Sequence, residues 1–161
     1  MDTIQLTLIL RKDKFTRGVF QGVYPSDKLP ASVSQYPALY IANVDTSDKP
    51  GSHWVAFYFT KEQEGEFFDS YGAPPSKYSG TFTTFLNNNS NQWTFNTVTL
   101  QSIYSKVCGH YCLYRGRDPP PWICHCKQIV DPPNVHTPWS HQLPHPPFFP
   151  CLEDHKKTLH L

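Results

Sequence analysis

The sequence predicts a mixed α+β domain, and three observations predict it. Two aromatic-rich runs, "HWVAFYF" and "EFFDSYG", are joined by the polar "TKEQEG", the pattern of two strands folded back as a β-hairpin. "GTFTTFLNNN" sets Phe82, Phe85 and Leu86 at helical spacing and closes on asparagines, which predicts a short helix. "CGHYCLYR" suits a second helix starting at or near Cys108. Strand and helix patterns mixed along one chain define the α+β class.

The other segments follow in order. "TIQLTLILRK" reads as an amphipathic helix or a strand, and its periodicity does not choose between them. "FQGVYPSDKLP" is expected to be a loop punctuated by Pro25 and Pro30. "ALYIANVD" alternates as a strand does. "QWTFNTVTL" alternates Trp93, Phe95 and Val98 imperfectly, as a strand with one irregularity. The chain changes character near Arg115. Ten prolines fall between Asp118 and Pro150, which excludes helix there and allows at most edge strands. The expected organisation is a domain over 1–115 and a proline-rich, disordered tail over 116–161.

Composition narrows the function. A net charge of +1 gives no basic field for nucleic acid. No apolar run reaches the ~18 residues that span a bilayer, and the start is not patterned as a signal peptide. Five cysteines, an odd number, make a disulfide framework a poor default. An intracellular setting, cytoplasm or nucleus, with free thiols is therefore expected.

Three residues are placed for thiol chemistry. His53 opens a strand, Asp69 lies on the next, and Cys108 sits where a loop enters a helix. A thiol attacks as its thiolate, so it needs a base within reach and an environment that favours negative charge. A helix N-terminus provides the second through its N–H groups and dipole. His53 is the candidate base, and Asp69 the group that fixes its tautomer and orientation. Side chains alternate along strands, so the two share a face only if the hairpin turn holds an odd number of residues, three or five around Gln63–Gly65. Gln101 is then placed to offer a side-chain N–H to an oxyanion, beside the Cys108 N–H. Gly109 leaves room for a substrate carbonyl.

"GSHWVAFYF", "EFFDSYG", Gln101 and "VCGHYC" together resemble the adenovirus-type (adenain-like) cysteine proteases, including those of large virus-like DNA transposons. "VFQGVYPSDKLP" is similar to the segment upstream of that family's His. The resemblance covers most of 1–115. It implies a papain-like fold with a central mixed sheet and a nucleophile-bearing helix, incomplete at its C-terminal end. It also implies a thiol endopeptidase of the polyprotein-processing type, with His53 as general base, Asp69 as orienting acid, Gln101 as oxyanion donor and Cys108 as nucleophile. Its substrate is a polypeptide, and its chemistry uses no cofactor and no metal. The chain departs from the family after Arg115, where Gly116 and Pro119–Pro121 leave room for only about two turns of the helix. Two alternatives stand beside this reading. One is a catalytically dead, truncated remnant. The other is a ubiquitin-like-protein (SUMO-type) isopeptidase, although those proteases typically carry Asp-Cys-Gly where this chain has Val107-Cys108-Gly109.

Neighbouring residues have plainer expectations. Cys112, one helical turn beyond Cys108, packs inward, and His110 faces away from Cys108. Trp54 alternates with His53 and packs or shields it. "ICHCKQ" and the histidines of the tail are zinc-capable atoms without a two-plus-two spacing. "PPPW" and "PHPP" offer SH3- or WW-type contacts.

Overall fold

The computed structural model describes residues 1–117 and 127–130. The elements are helix α1 (Thr3–Lys12), strands β1 (Phe20–Pro25), β2 (Ala38–Asn43), β3 (Trp54–Phe59) and β4 (Glu64–Phe68), and a 3-10 turn (Pro75–Lys77). Helix α2 (Gly80–Asn89), strand β5 (Gln92–Asn96), helix α3 (Cys108–Arg117) and strand β6 (Lys127–Val130) follow. The strands form one sheet in the order β1-β2-β3-β4-β5-β6. It is mixed: β1–β2 and β4–β5 are parallel, and the other three pairs are antiparallel. The architecture is α+β.

Alternation along the strands gives the sheet two apolar faces, as the period of two requires. Ala38, Tyr40, Ala42, Val55, Phe57, Phe59, Phe67, Trp93 and Phe95 pack with Phe82, Phe85 and Leu86 of α2. Phe57 centres this layer, with edge-on contacts to Phe67, Phe82 and Phe85 at centroid distances of 5.2, 5.3 and 5.4 Å, the geometry ring quadrupoles favour. Leu39, Ile41, Ala56 and Phe68 face the other way, against Leu6 and Leu10 of α1 and Cys112 of α3. Both faces being covered, β2 is buried along its whole length.

Capping settles α1 as a helix. The Asp2 carboxylate accepts from the Gln5 N–H at 2.8 Å, and the Gln5 side chain accepts from the Asp2 N–H at 3.1 Å. This reciprocal box satisfies two donors that the first turn otherwise leaves unpaired. Leu6 and Leu10, four apart, then share the buried face.

The structure corrects two expectations. The segment read as a loop contains β1, paired with β2 alone among the described strands. Its sequence hides it: Gly22 sits at a register shift with φ +155°, under the Tyr24 ring, and Pro25 ends the strand. Helix α3 also outruns the two turns expected. Its ten residues carry it to Arg117, two past the anticipated boundary. Gly116 does not break the helix. A Cβ there would lie 2.7 Å from Leu39 Cδ2, so its missing side chain lets the last turn approach the sheet.

Within the segment assigned to a tail, the backbone of Lys127–Val130 pairs antiparallel with β5, placing Trp93 opposite Val130. The remaining tail, with its proline motifs and zinc-capable residues, lies outside the described residues. Among the described residues no helix is long and apolar enough to cross a membrane.

Candidate active site

The β3–β4 hairpin builds the first half of the site. Phe59 pairs with Gly65 and Ala56 with Phe68. Continuing that register puts Asp69 opposite Val55 and diagonal to His53, on one face. Beyond Phe59 the Thr60 N–H donates to the Glu64 carbonyl at 2.9 Å, so the loop holds residues 61–63. Its last residue, Gln63, has φ 60°, as three-residue hairpin loops require. The loop is odd-numbered, as co-facial placement demands. The Val44 N–H donates to the His53 carbonyl at 2.9 Å, extending the β2–β3 ladder to the residue that carries the imidazole.

Asp69 is wholly buried and takes hydrogen bonds on both oxygens. Oδ1 accepts from His53 Nε2 at 2.6 Å and from the Tyr71 N–H at 3.0 Å. Oδ2 accepts from the Ala73 N–H at 3.0 Å and the Tyr78 hydroxyl at 2.7 Å. The bond to the backbone two residues on is an Asx turn. It is tightened by the Gly72 N–H on the Asp69 carbonyl at 2.8 Å. Burial alone would raise this carboxyl's pKa. The bonds from His53, Tyr71 and Tyr78 and the imidazolium charge outweigh it and hold the pKa below the ordinary value.

With Nε2 on Asp69, His53 keeps Nδ1 free of that carboxylate, and the Cys108 thiol lies close enough for thiol and imidazole each to shift the other's pKa. Burial works against an imidazolium, but Asp69 and Cys108 more than offset it, and the His53 pKa is raised to about 9. Cys108 is the first residue of α3 and 8% exposed. Burial pushes its thiol up. The bond to His53, the backbone N–H groups of Trp54 and Gly109 and the imidazolium charge bring it below the ordinary thiol value. The two directions agree. Both shifts favour the thiolate–imidazolium pair over the neutral pair.

Tyr71 and Tyr78 flank the imidazole, with ring centroids 4.6 and 5.9 Å from that of His53. Trp54 takes the opposite side of β3, half-buried, and its Nε1–H donates to the Met1 carbonyl at 3.1 Å. The space beside Gly109 is taken by Met1 and Trp54: a Cβ there would meet Met1 Sδ at 3.3 Å and Trp54 Cδ1 at 3.4 Å. Cys112 is buried, its thiol pKa pushed well up by desolvation, and His110 is exposed. Cys108 and Cys112 are both free thiols. Among the described residues no group of three or more His, Cys, Asp or Glu forms a metal cluster.

Gln101 is also buried. Its Oε1 accepts from the Ser70 hydroxyl at 2.8 Å, while Nε2 donates to the Ser105 carbonyl at 2.8 Å and to Tyr71 Oη at 3.1 Å. Gln101, Tyr71, Trp54 and Cys108 line one open groove of about 770 Å³. Of the four candidate residues, Gln101 and Cys108 line this groove, and the buried His53–Asp69 pair adjoins it through Cys108. Nothing in the sequence marks Ser70, Tyr71, Tyr78 or Asn96: "DSYG" reads as a strand end, and nothing in it reports that Ser70 faces Gln101. Tyr78 reaches Asp69 only through the intervening 3-10 turn.

No protein-family model matches the chain, and no curated protein is significantly similar to it.

Proposed function

We propose that the chain is a thiol endopeptidase of the adenovirus type, hydrolysing peptide bonds in a polypeptide such as a viral or transposon polyprotein. The observation supporting this most directly is one buried imidazole. It bonds Asp69 through Nε2 and lies close enough to Cys108 to draw down the thiol's pKa, with the thiol at a helix N-terminus on an open groove.

The steps follow from the placement. The Cys108 thiolate adds to the scissile carbonyl carbon, and the developing oxyanion is received by the Cys108 N–H and by the Gln101 N–H that otherwise donates to Tyr71 Oη. His53 gives its proton to the leaving amine, the C–N bond breaks, and a thioester remains. Neutral His53 then takes a proton from water. The hydroxide adds to the thioester, the acid departs, and the thiolate returns. Asp69 stays ionised throughout and keeps the ring oriented. An intracellular setting fits a site that needs a reduced thiol.

Alkylation of Cys108 by iodoacetamide across pH 4–9, with turnover of a mixed peptide library, tests the proposal. Rapid labelling well below the ordinary thiol pKa of 9.0, lost in His53→Ala, is expected together with cleavage. An ordinary thiol titration at Cys108 overturns it. Fast labelling without cleavage of any peptide leaves the remnant reading instead.

A further inference from the structure

The orientation of the Gln101 amide is fixed by hydrogen-bond chemistry. A side-chain amide has one accepting and one donating end, and the two are exchanged by a flip. The Ser105 carbonyl, 2.8 Å away, only accepts, so the NH2 end must face it. The oxygen end then faces Ser70 Oγ at 2.8 Å, and there the hydroxyl must donate. Ser70 is 1% exposed, and its own carbonyl accepts from the Leu100 and Gln101 N–H groups at 2.8 and 3.0 Å. One residue therefore holds Gln101 by both backbone and side chain. The second amide hydrogen is directed at Tyr71 Oη, on the groove.

We infer that Ser70 is a positioning residue for acyl transfer: its hydroxyl bond to Oε1 holds the Gln101 amide with N–H toward the groove, where an oxyanion forms. This rests on the thiol-peptidase reading, and deepens it. Without the hydroxyl, Oε1 has lost its buried donor and the amide is less firmly held in the donating pose. The Ser70 hydroxyl bonds Gln101, whereas the imidazole is held by Asp69, so loss of the hydroxyl leaves the ion pair in place. The step affected is the one that builds negative charge on oxygen.

Two small electrophiles separate these effects without a known substrate. Iodoacetamide alkylates by displacement of iodide and builds no oxyanion. p-Nitrophenyl acetate passes through a tetrahedral oxyanion, acetylates the thiol and releases p-nitrophenolate. Both rates are read at Cys108 by mass spectrometry on the full-length native protein, Ser70→Ala and Ser70→Thr. Their ratio cancels any difference in the fraction folded. Expected is a roughly tenfold fall in the acetylation-to-alkylation ratio for Ser70→Ala, the effect of one hydrogen bond, with most of it restored in Ser70→Thr. An unchanged ratio in Ser70→Ala overturns the inference, as does a loss that threonine does not restore. If alkylation of the native protein shows an ordinary thiol, the peptidase reading fails first and takes this role with it.

Discussion

Asn96 grips Asp69 by its backbone. Asn96 Oδ1 accepts from the Asp69 N–H at 2.9 Å, and its Nδ2 donates to the Asp69 carbonyl at 2.7 Å and to the Val98 carbonyl at 3.2 Å. The last residue of β5 thus continues the sheet's ladder by side chain, just where the β4 backbone turns away to aim its carboxylate. Replacing Asn96 with Ala leaves these groups without their partner beside a buried residue. The expected cost is about 1–3 kcal/mol in urea unfolding. Alkylation of Cys108 at pH 6 should slow with it, because Asp69 no longer holds His53 in place. A variant of native stability and native alkylation rate would show the clamp to be idle.

The ion pair predicts a pH signature that a single substitution exposes. A His raised to about 9 in the folded state contributes stability fully present below its unfolded value near 6.5 and lost as pH rises through 9. A thiol lowered in the folded state has the opposite slope between its folded and unfolded values, because there the unfolded chain holds the extra proton. In the native protein the two slopes therefore oppose each other. In Cys108→Ser only the His53–Asp69 term remains, and stability should fall above pH 6.5 by up to about 1.4 kcal/mol per pH unit. Urea midpoints at pH 6, 7 and 8 decide it. Parallel curves for the two proteins would rule out the pair.

Tyr78 predicts an effect at the acid end. Its hydroxyl donates to Asp69 Oδ2 and helps lower that carboxyl's pKa, so the stability from Asp69 is present above the unfolded value and lost as pH falls through the folded one. In Tyr78→Phe the folded pKa rises. Acid unfolding followed by near-UV circular dichroism should then move to higher pH, with about 1 kcal/mol lost at neutrality. An acid midpoint unmoved from the native one would remove Tyr78 from the site's support.

Gly72 is the position least tolerant of a side chain. It has φ +70°, and a Cβ would lie 2.7–2.9 Å from backbone atoms of Thr97 and Val98. Gly72→Ala combines left-handed strain with a clash against atoms that cannot rotate away, an expected loss of about 2–4 kcal/mol. Thermal unfolding measures it. A loss below 0.5 kcal/mol would mean that the turn after Asp69 is free to relax.

The parts of the molecule most legible in the sequence are those made by short-range pattern. The β3–β4 hairpin, α2 and the start of α3 each carry their own period and boundary residues, and alternation makes an odd-numbered turn the condition for His53 and Asp69 to share a face. Strand β1 was not legible because Gly22 and Pro25, residues that normally mark loops, are accommodated by a bulge and a strand end. The length of α3 is not legible because Gly116 reads as a helix breaker, whereas it is a close approach to Leu39. Ser70 and Asn96 act across gaps of 31 and 27 residues, and a polar side chain gives no sign in sequence of which distant backbone it will meet. The candidate residues themselves stood out through their order and spacing.

That order has a consequence for the chain as it is synthesised. The hairpin carrying His53 and Asp69 leaves the ribosome before β5 and Gln101, and the thiol of α3 comes after all of them. Until α3 docks on the sheet, Cys108 lacks both the imidazole and the Trp54 N–H that favour its thiolate. On the thiol-peptidase reading, the docking of α3 on the sheet is therefore what arms the thiol, and an unfinished molecule is spared a reactive sulfur.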